Sequence, residues 1–347
     1  MSNNKQEGFR PLLTEKDDST TRRDYQSSSN HRSCLKEQKT YNNGQRRLLT
    51  WSEIPEWMRF NPYILGSYRP PNSNYWTCVK SVLEWHNETL NIWTHLLGLI
   101  GILCYLGRFL YWQGEWNDKH AGESIFSVGT TADLLLFTYF IFGSGCLACS
   151  CVYHIFACHS KSVSVACNSI DYLGIIFNNI GSWLLVYHYY FYCEPHLQTF
   201  YIFTYLVVCG TAAAMLVIPR FQAEEYMWMR TITFVFVGFA GVTGFVHAGL
   251  LHGTDMMFEI GLGRIFITSF FYVSGALVFG LRWPERSFPG RCDIWFQSHT
   301  IFHILCLCAM IAYYFAMVQA REFWGAEGAY EQYCSTATTL SVTDKYF

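Results

Sequence analysis

Seven apolar runs, each about 20 residues long, follow one another after residue 90 and constrain the fold more than any other feature of the chain. A helix needs about 20 mainly apolar residues to cross the hydrocarbon core of a bilayer. The sequence therefore predicts an all-α membrane protein with seven transmembrane helices. The runs cover residues 92–112, 134–157, 167–190, 197–218, 231–251, 262–282 and 299–320. The third contains Asp171, Asn178 and Asn179, so we expect it to face other helices more than lipid.

The segments outside these runs divide the rest of the chain. Residues 1–50 are rich in Ser, Asn, Gln, Lys, Arg and Asp, and a segment of this composition cannot bury enough surface to offset the entropy of ordering. We expect a disordered cytoplasmic tail there, without the pattern of a signal peptide. Residues 51–91 are predicted to form a juxtamembrane segment, in which the amphipathic stretch 54–71 lies at the membrane interface. The bundle then occupies residues 92–320, and residues 321–347 form a short tail.

Basic residues near the helix ends are concentrated on one side of the predicted bundle, and such loops stay on the cytoplasmic side. The bias predicts a cytoplasmic N-terminus and an extracellular or lumenal C-terminus. G-protein-coupled receptors have the opposite orientation, and this chain lacks their D-R-Y and N-P-x-x-Y motifs. The formal charge of −2 gives no reason to expect binding to nucleic acid. The basic residues on the N-terminal side are Arg46, Arg47, Arg59, Arg69, Lys80, Lys161, Arg220, Arg230, Arg282, Arg286 and Arg291, against Lys119, Arg264, Arg321 and Lys345 on the other.

Two histidines, His299 and His303, are four positions apart in the first turns of the seventh predicted helix, so they share one face of it. The second helix carries His154 near its cytoplasmic end, with Ser150 one turn deeper on the same face. The third helix begins close to Asp171. The predicted topology brings the three histidines and Asp171 to a similar depth in the membrane, where ionisable groups are costly and indicate a functional site.

Three imidazoles form the protein ligands of many catalytic zinc sites, in which water fills the fourth position. Zinc lowers the pKa of that water and polarises a carbonyl group. A nearby carboxylate such as Asp171 holds the water, accepts its proton or orients a ligand in such sites. A histidine in a membrane helix is more often a hydrogen-bonded packing residue, so zinc binding and packing are both open alternatives at this point.

Five stretches of the sequence are distinctive in combination: "NETLNIWTHLLG" (87–98), Ser150 and His154 with "CHS" (158–160), "DYLGI" (171–175), "PERSFPG" (284–290) and "DIWFQSHTIFH" (293–303). With them, residues 53–328 resemble the progestin and adipoQ receptor family, which includes the adiponectin receptors and is related to haemolysin III. The resemblance implies seven helices with a cytoplasmic N-terminus. It also implies one zinc ion (Zn2+) bound by His154, His299 and His303, with Asp171 and Ser150 near the bound water.

Two further histidines and one sequon lie close to or within predicted helices. His247 falls on the outer half of the fifth helix, where packing is the favoured interpretation. His95 lies in the cytoplasmic part of the first helix, so it either packs or supports a metal ligand. The tripeptide Asn87-Glu88-Thr89 matches a glycosylation sequon, but the predicted topology puts it on the cytoplasmic side, and we expect it to be unmodified.

The cysteines allow two interpretations. Cys146, Cys149 and Cys151 have the spacing of a metal cluster, but they lie in an apolar helix, where cysteine is usually a small packing residue. Cys193 and Cys334 both fall on the predicted outer side, where a disulfide between them is one alternative and two free thiols the other.

Two functions from different classes agree with these observations. The first is a zinc-dependent amide hydrolase that acts on a membrane lipid such as ceramide, releases a fatty acid, and responds to an extracellular protein or steroid ligand. The second is a receptor or anchoring protein in which zinc only holds helices together. We expect the chain in the plasma membrane, with the Golgi and the endoplasmic reticulum as alternatives.

Overall fold

The computed structural model describes residues 41–42, 45–119, 128–218, 221 and 226–334, and helices make up most of this part of the chain. Each of the seven long helices coincides with one predicted apolar run, which confirms the predicted seven-helix membrane fold. The helices are α1 (Thr89–Lys119), α2 (Val128–Phe156), α3 (Lys161–Tyr190), α4 (Pro195–Val217), α5 (Met227–Ile260), α6 (Leu262–Leu281) and α7 (Ser298–Gly325).

Six of these helices are long and apolar enough to cross a membrane, and α3 is the exception among the described helices. The sequence explains the exception, because α3 carries polar side chains that face protein. Asn178 is buried, and its amide donates a hydrogen bond to the hydroxyl of Tyr272 on α6 (3.3 Å). The chain is thus a multi-pass membrane protein, while the side on which its N-terminus lies stays a prediction.

Helix α7 is central to the bundle and packs against α1, α2, α3, α5 and α6. Helices α2 and α3 lie along each other at especially close range. A Cβ atom added at Gly174 of α3 would come within 3.0 Å of the Cβ atom of Cys149 and 3.1 Å of the Cα atom of Cys146. Small residues at this crossing therefore bring the backbones of α2 and α3 together, one turn from Asp171.

The segment before α1 folds into a cap with a small apolar core of its own. It contains a 3-10 turn (Glu56–Met58), a short helix (Tyr75–Lys80) and a second 3-10 turn (Ser81–Leu83). The segment predicted to be amphipathic thus buries part of its apolar side chains within the protein, while Phe60 and Leu65 are exposed. Its position at a membrane interface stays a prediction. The core consists of Ile54, Met58, Ile64, Tyr68, Cys78 and Cys158.

The C-terminal end of the predicted tail contains local structure, while the boundary of the tail stays a prediction. Tyr41–Asn42 pairs with Gln45–Arg46 in a two-stranded antiparallel hairpin. Separately, Leu49 pairs with Tyr68 and packs against the core of the cap. Residues 1–40, the larger part of the predicted tail, lie outside the described residues.

The main apolar core lies towards the other end of the bundle, around the C-terminal half of α3. A disulfide bond between Cys193 and Cys334 joins the segment after α3 to the segment after α7, which confirms the pairing that the sequence left open. Helix α5 is interrupted at Gly253, where φ is 79°. Glycine adopts this left-handed conformation without the steric cost of a Cβ atom. The interruption falls close to the end predicted for the fifth apolar run.

Candidate metal centre

Three histidines converge at the end of the bundle where α2 ends and α7 begins. One ring nitrogen of each of His154, His299 and His303 lies within 4.8 Å of the corresponding nitrogens of the other two. The rings face one another edge-on, with centroid separations of 4.6 Å for His299–His303 and 4.9 Å for His154–His299. His154 and His303 are buried. This is the only such group of potential metal ligands within the part of the chain that the structure describes.

Two of the three imidazoles are held by a hydrogen bond at Nδ1. The His154 Nδ1–H group donates to the Oε2 atom of Glu88 (2.8 Å), because an ionised carboxylate can only accept. His303 donates from Nδ1 to the backbone carbonyl of Asn91 (3.2 Å). In both rings the Nε2 atom then carries the free lone pair. The Nε2 atom of His154 is buried without a hydrogen-bond partner among the described residues. Metal-binding histidines have this arrangement, so the residues fit a bound ion.

The Glu88 carboxylate is ionised in this setting. Burial alone would raise its pKa, but the hydrogen bonds from His154 and Asn91 and the nearby imidazole of His299 hold the pKa below its ordinary value. Asn91 donates to Oε2 of Glu88 (2.8 Å), and Asn87 donates to Oε1 (3.1 Å). The start of α1 therefore provides a negative charge next to a group of three potential metal ligands.

Two buried charges support the helix ends that carry the histidines. Arg69 donates to the backbone carbonyl groups of His154 and, at 2.9 Å, of Ile155 in the last turn of α2. Glu285 accepts from the backbone N–H of Ser298 (2.8 Å) at the start of α7. Both side chains are almost fully buried. A cation at a helix C-terminus and an anion at an N-terminus are stabilised by the helix dipole, so each charge matches its helix end.

A carboxylate and a hydroxyl group lie beside the three histidines. Ser150 is buried one turn before His154 on α2, and its hydroxyl hydrogen-bonds with the carboxylate of Asp171 on α3. Asp171 is also close enough to His154 for an electrostatic interaction between the two side chains. It is outside the set of atoms that lie within 4.8 Å of one another. The structure thus brings together all five residues singled out from the sequence, with Asp171 beside the ligand group and not within it.

The remaining sequence predictions have clear outcomes. His247 packs at the far end of the bundle, where its Nδ1 atom hydrogen-bonds with the hydroxyl of Tyr201 (2.9 Å). His95 is buried and stacks on His303. The Asn87 side chain of the sequon is buried and bonded to Glu88, which agrees with the expectation that it is unmodified. Cys146, Cys149 and Cys151 do not form a metal-ligating group in the described residues.

Sequence reasoning missed Glu88, Arg69 and Glu285. Glu88 was considered only as part of a sequon, although Glu88, Asn91 and His95 recur at helical spacing on one face at the start of α1. That periodic placement of polar residues was the available signal. Arg69 and Glu285 lie in irregular segments, where no periodicity shows which helix end they contact.

A seven-helix membrane bundle with a buried three-histidine group at one end defines a class of integral membrane protein. Residues 83–314 match the family model described as haemolysin-III related. The chain belongs to this family and, within it, to the progestin and adipoQ receptors, as its sequence motifs predicted.

Relatives of the chain come from animals and plants. It is 31% identical over 281 residues to progestin and adipoQ receptor-like protein 1 of Caenorhabditis elegans, covering 80% of this chain and 62% of that protein. It is 31% identical to the adiponectin receptor protein of Drosophila melanogaster, and the match covers 76% of this chain and 57% of that protein. It is 30% identical to heptahelical transmembrane protein 1 of Arabidopsis thaliana, and the match covers 78% of this chain and 80% of that protein. The chain spans about three fifths of the length of the two animal proteins.

Proposed function

We propose that this chain is an adiponectin receptor-like membrane protein that controls lipid metabolism by zinc-dependent hydrolysis of a lipid amide such as ceramide. The observation that carries the proposal is the three-histidine group with a separate carboxylate–hydroxyl pair beside it. Three protein ligands leave one coordination position open, which is typical of catalytic zinc, whereas structural zinc sites usually have four protein ligands.

The chain offers a distinct role to each group in such a reaction. His154, His299 and His303 would hold the zinc ion. Bound zinc acidifies water and polarises a carbonyl group, which is the chemistry that amide hydrolysis needs. Water adds to the amide carbon, the C–N bond breaks, and a fatty acid and an amine leave.

Asp171 would accept the proton of the attacking water at a carboxylate oxygen and pass it to the leaving nitrogen. The hydroxyl of Ser150 donates to the carboxylate of Asp171 and fixes its direction. The apolar helices around the site limit the access of bulk water and suit a substrate that enters from the bilayer.

A non-enzymatic receptor or anchoring protein with structural zinc is the second candidate. It is favoured by the hydrogen bonds that connect the histidines of α2 and α7 with residues at the start of α1. His154 on α2 bonds to Glu88 directly before α1, and His303 on α7 bonds to the Asn91 carbonyl of α1. A metal ion bound by α2 and α7 would then hold three helices in place without any reaction.

Substitution of Asp171 by alanine separates the two candidates. Because Asp171 lies outside the ligand group, we expect the Asp171→Ala protein to keep about one zinc ion per chain. Its release of fatty acid from ceramide should fall by about 10²–10⁴-fold, the usual contribution of general acid–base catalysis. Asp255→Ala, which changes an exposed carboxylate towards the end of α5, is the matched control and should keep both zinc and turnover.

Loss of zinc together with Asp171 would identify a fourth ligand and a closed, structural site. Unchanged hydrolysis in a zinc-containing Asp171→Ala protein would remove the proposed role of this carboxylate. A wild-type protein that contains zinc and hydrolyses no lipid amide would favour the structural candidate.

The orientation and the membrane belong to the same proposal. We place the chain in the plasma membrane, or alternatively in the Golgi or the endoplasmic reticulum, with the N-terminus in the cytoplasm and an extracellular protein or steroid as its controlling ligand. The basic residues on the N-terminal side of the bundle support this orientation. Epitope tags on intact cells test it: a C-terminal tag should be accessible from outside, and surface labelling of an N-terminal tag would reverse the topology.

A further inference from the structure

His95 is a buried polar side chain whose hydrogen-bonding capacity is not used by the described residues. It lies near the start of α1, and only 6% of its surface is exposed. Neither its Nδ1 atom nor its Nε2 atom has a hydrogen-bond partner among the described residues. A neutral imidazole carries one N–H donor and one acceptor nitrogen, so both are left unpaired. Buried polar groups without partners are rare in folded proteins and need an explanation.

The position of His95 links it to the metal centre. Its ring stacks in parallel on the ring of His303, with the centroids 3.6 Å apart and the planes 10° from parallel. His154 and His299 are close enough to His95 to interact with it electrostatically. All three candidate ligands are thus neighbours of His95.

His95 is not arranged as a fourth ligand. The rings of His154 and His303 are each fixed by a hydrogen bond at Nδ1, whereas no described residue anchors the His95 ring in this way. Its nitrogens also lie outside the set of atoms within 4.8 Å of one another. Packing alone does not explain the residue either, because a phenylalanine ring would stack on His303 without burying two unpaired nitrogens. The partner of these nitrogens must come from outside the described residues.

We propose that His95 binds the lipid amide itself, by a hydrogen bond to the group that occupies the open position beside the three histidines. An amide presents both a carbonyl acceptor and an N–H donor, so either the donor or the acceptor nitrogen of a neutral imidazole finds a partner in it. A hydroxamate presents the same pair. The inference rests on the proposed function for the class of its ligand, and it assigns amide recognition to a residue outside the metal-binding set.

The test measures binding of a probe and does not depend on turnover. The full-length, zinc-containing chain in detergent is titrated with N-hydroxyoctanamide by calorimetry, and zinc is quantified in each sample. His95→Phe keeps a ring for stacking and removes both nitrogens. We expect it to keep about one zinc per chain and to bind the probe about tenfold more weakly, the order expected for one lost hydrogen bond. His247→Phe removes a half-buried histidine at the far end of the bundle and should bind the probe like the wild type.

Two variants of similar shape, compared with each other, make the test independent of His95→Phe. His95→Gln carries an amide that can donate and accept, whereas His95→Met has a similar shape and length with almost no hydrogen-bonding capacity. Amide recognition predicts tighter probe binding by His95→Gln than by His95→Met, with equal zinc in both. A packing role predicts the opposite order or no difference, and it also predicts that His95→Phe binds the probe as the wild type does. Either result overturns the inference.

Failure of the inference can be told apart from failure of the proposed function. Lipid hydrolysis by the wild type, together with probe binding that does not depend on His95, removes the inference and leaves the hydrolase. Probe binding that depends on His95 in a wild type that hydrolyses no lipid amide leaves amide recognition in place and removes the hydrolase. A wild type that binds no zinc overturns both.

Discussion

Replacing Glu88 with glutamine should weaken metal binding although Glu88 is not a ligand. The carboxylate accepts three hydrogen bonds: from His154 at 2.8 Å, from Asn91 at 2.8 Å and from Asn87 at 3.1 Å. Glutamine has one acceptor oxygen, and its NH₂ group would face at least one of these donors. It also removes the negative charge that stabilises the Nδ1–H form of His154, the form that presents Nε2 to the metal ion.

The size of the effect follows from two independent considerations. Hydrogen bonds to charged groups contribute about 1.5–3 kcal/mol each. Loss of a residue that orients a metal-binding side chain typically lowers metal affinity by about 10–100-fold, and a tenfold change corresponds to about 1.4 kcal/mol. The two ranges overlap, so we expect Glu88→Gln to bind zinc about 10–100-fold more weakly.

Competition with a chelator of known affinity measures this change on the purified chain in detergent. Glu56→Gln, which alters an exposed glutamate in the cap, is the control and should bind zinc like the wild type. A folded Glu88→Gln protein whose zinc affinity is within twofold of the wild type would show that the Glu88–His154 hydrogen bond does not orient a ligand. An equal loss in Glu56→Gln would show that the effect is not local.

Three further predictions concern stability, measured by thermal unfolding in detergent. His303→Ala should lose zinc and melt at a lower temperature, and a chelator should lower the melting temperature of the wild type but not of this variant. Gly241→Ala should destabilise the bundle by about 1–3 kcal/mol, because its Cβ atom would lie 2.0 Å from the Trp183 ring, whereas Gly101→Ala meets no atom within 4 Å and should be tolerated. Cys193→Ser should cost about 2–4 kcal/mol by loss of the disulfide to Cys334, and Cys104→Ser, at an exposed free thiol, should have little effect.

The helices and the ligand set were predictable for different reasons. Bilayer thickness fixes the length of a spanning helix, so the apolar runs revealed all seven helices, including α3, whose polar residues lower its hydropathy. The three ligands were predictable from their depth in the membrane. Because consecutive helices run in opposite directions, the end of α2 and the start of α7 lie at the same side of the bundle. Asp171 followed in the same way, because α3 begins where α2 ends.

The residues that orient the ligands were not predictable in this way. The bond from Arg69 to the carbonyl of His154 joins residues 85 positions apart, and the contact between His303 and Asn91 joins residues 212 positions apart. Hydrophobic periodicity fixes which face of a helix is buried, but it does not fix which backbone group a charged side chain in an irregular segment will reach. For Arg69 the positive-inside pattern suggested only a cytoplasmic loop, whereas the structure shows a buried side chain at the end of α2.

The position of the site at one end of the bundle gives a physical reason for these orienting hydrogen bonds. A helix leaves its first N–H groups and last carbonyl groups without hydrogen-bond partners inside the helix. In an apolar surrounding these groups need hydrogen-bond partners from other parts of the protein. At the end of α2 the partner is Arg69, and at the start of α7 it is Glu285, whose carboxylate also accepts from Asn61 of the cap (3.0 Å). Arg69 of the cap and Glu285, which Asn61 of the cap contacts, thereby fix the two turns that carry His154, His299 and His303. The three-histidine group is thus rigid because the end of α2 and the start of α7 both receive hydrogen-bond partners at the same level of the bundle. Changes in the cap should therefore affect metal binding as well as stability.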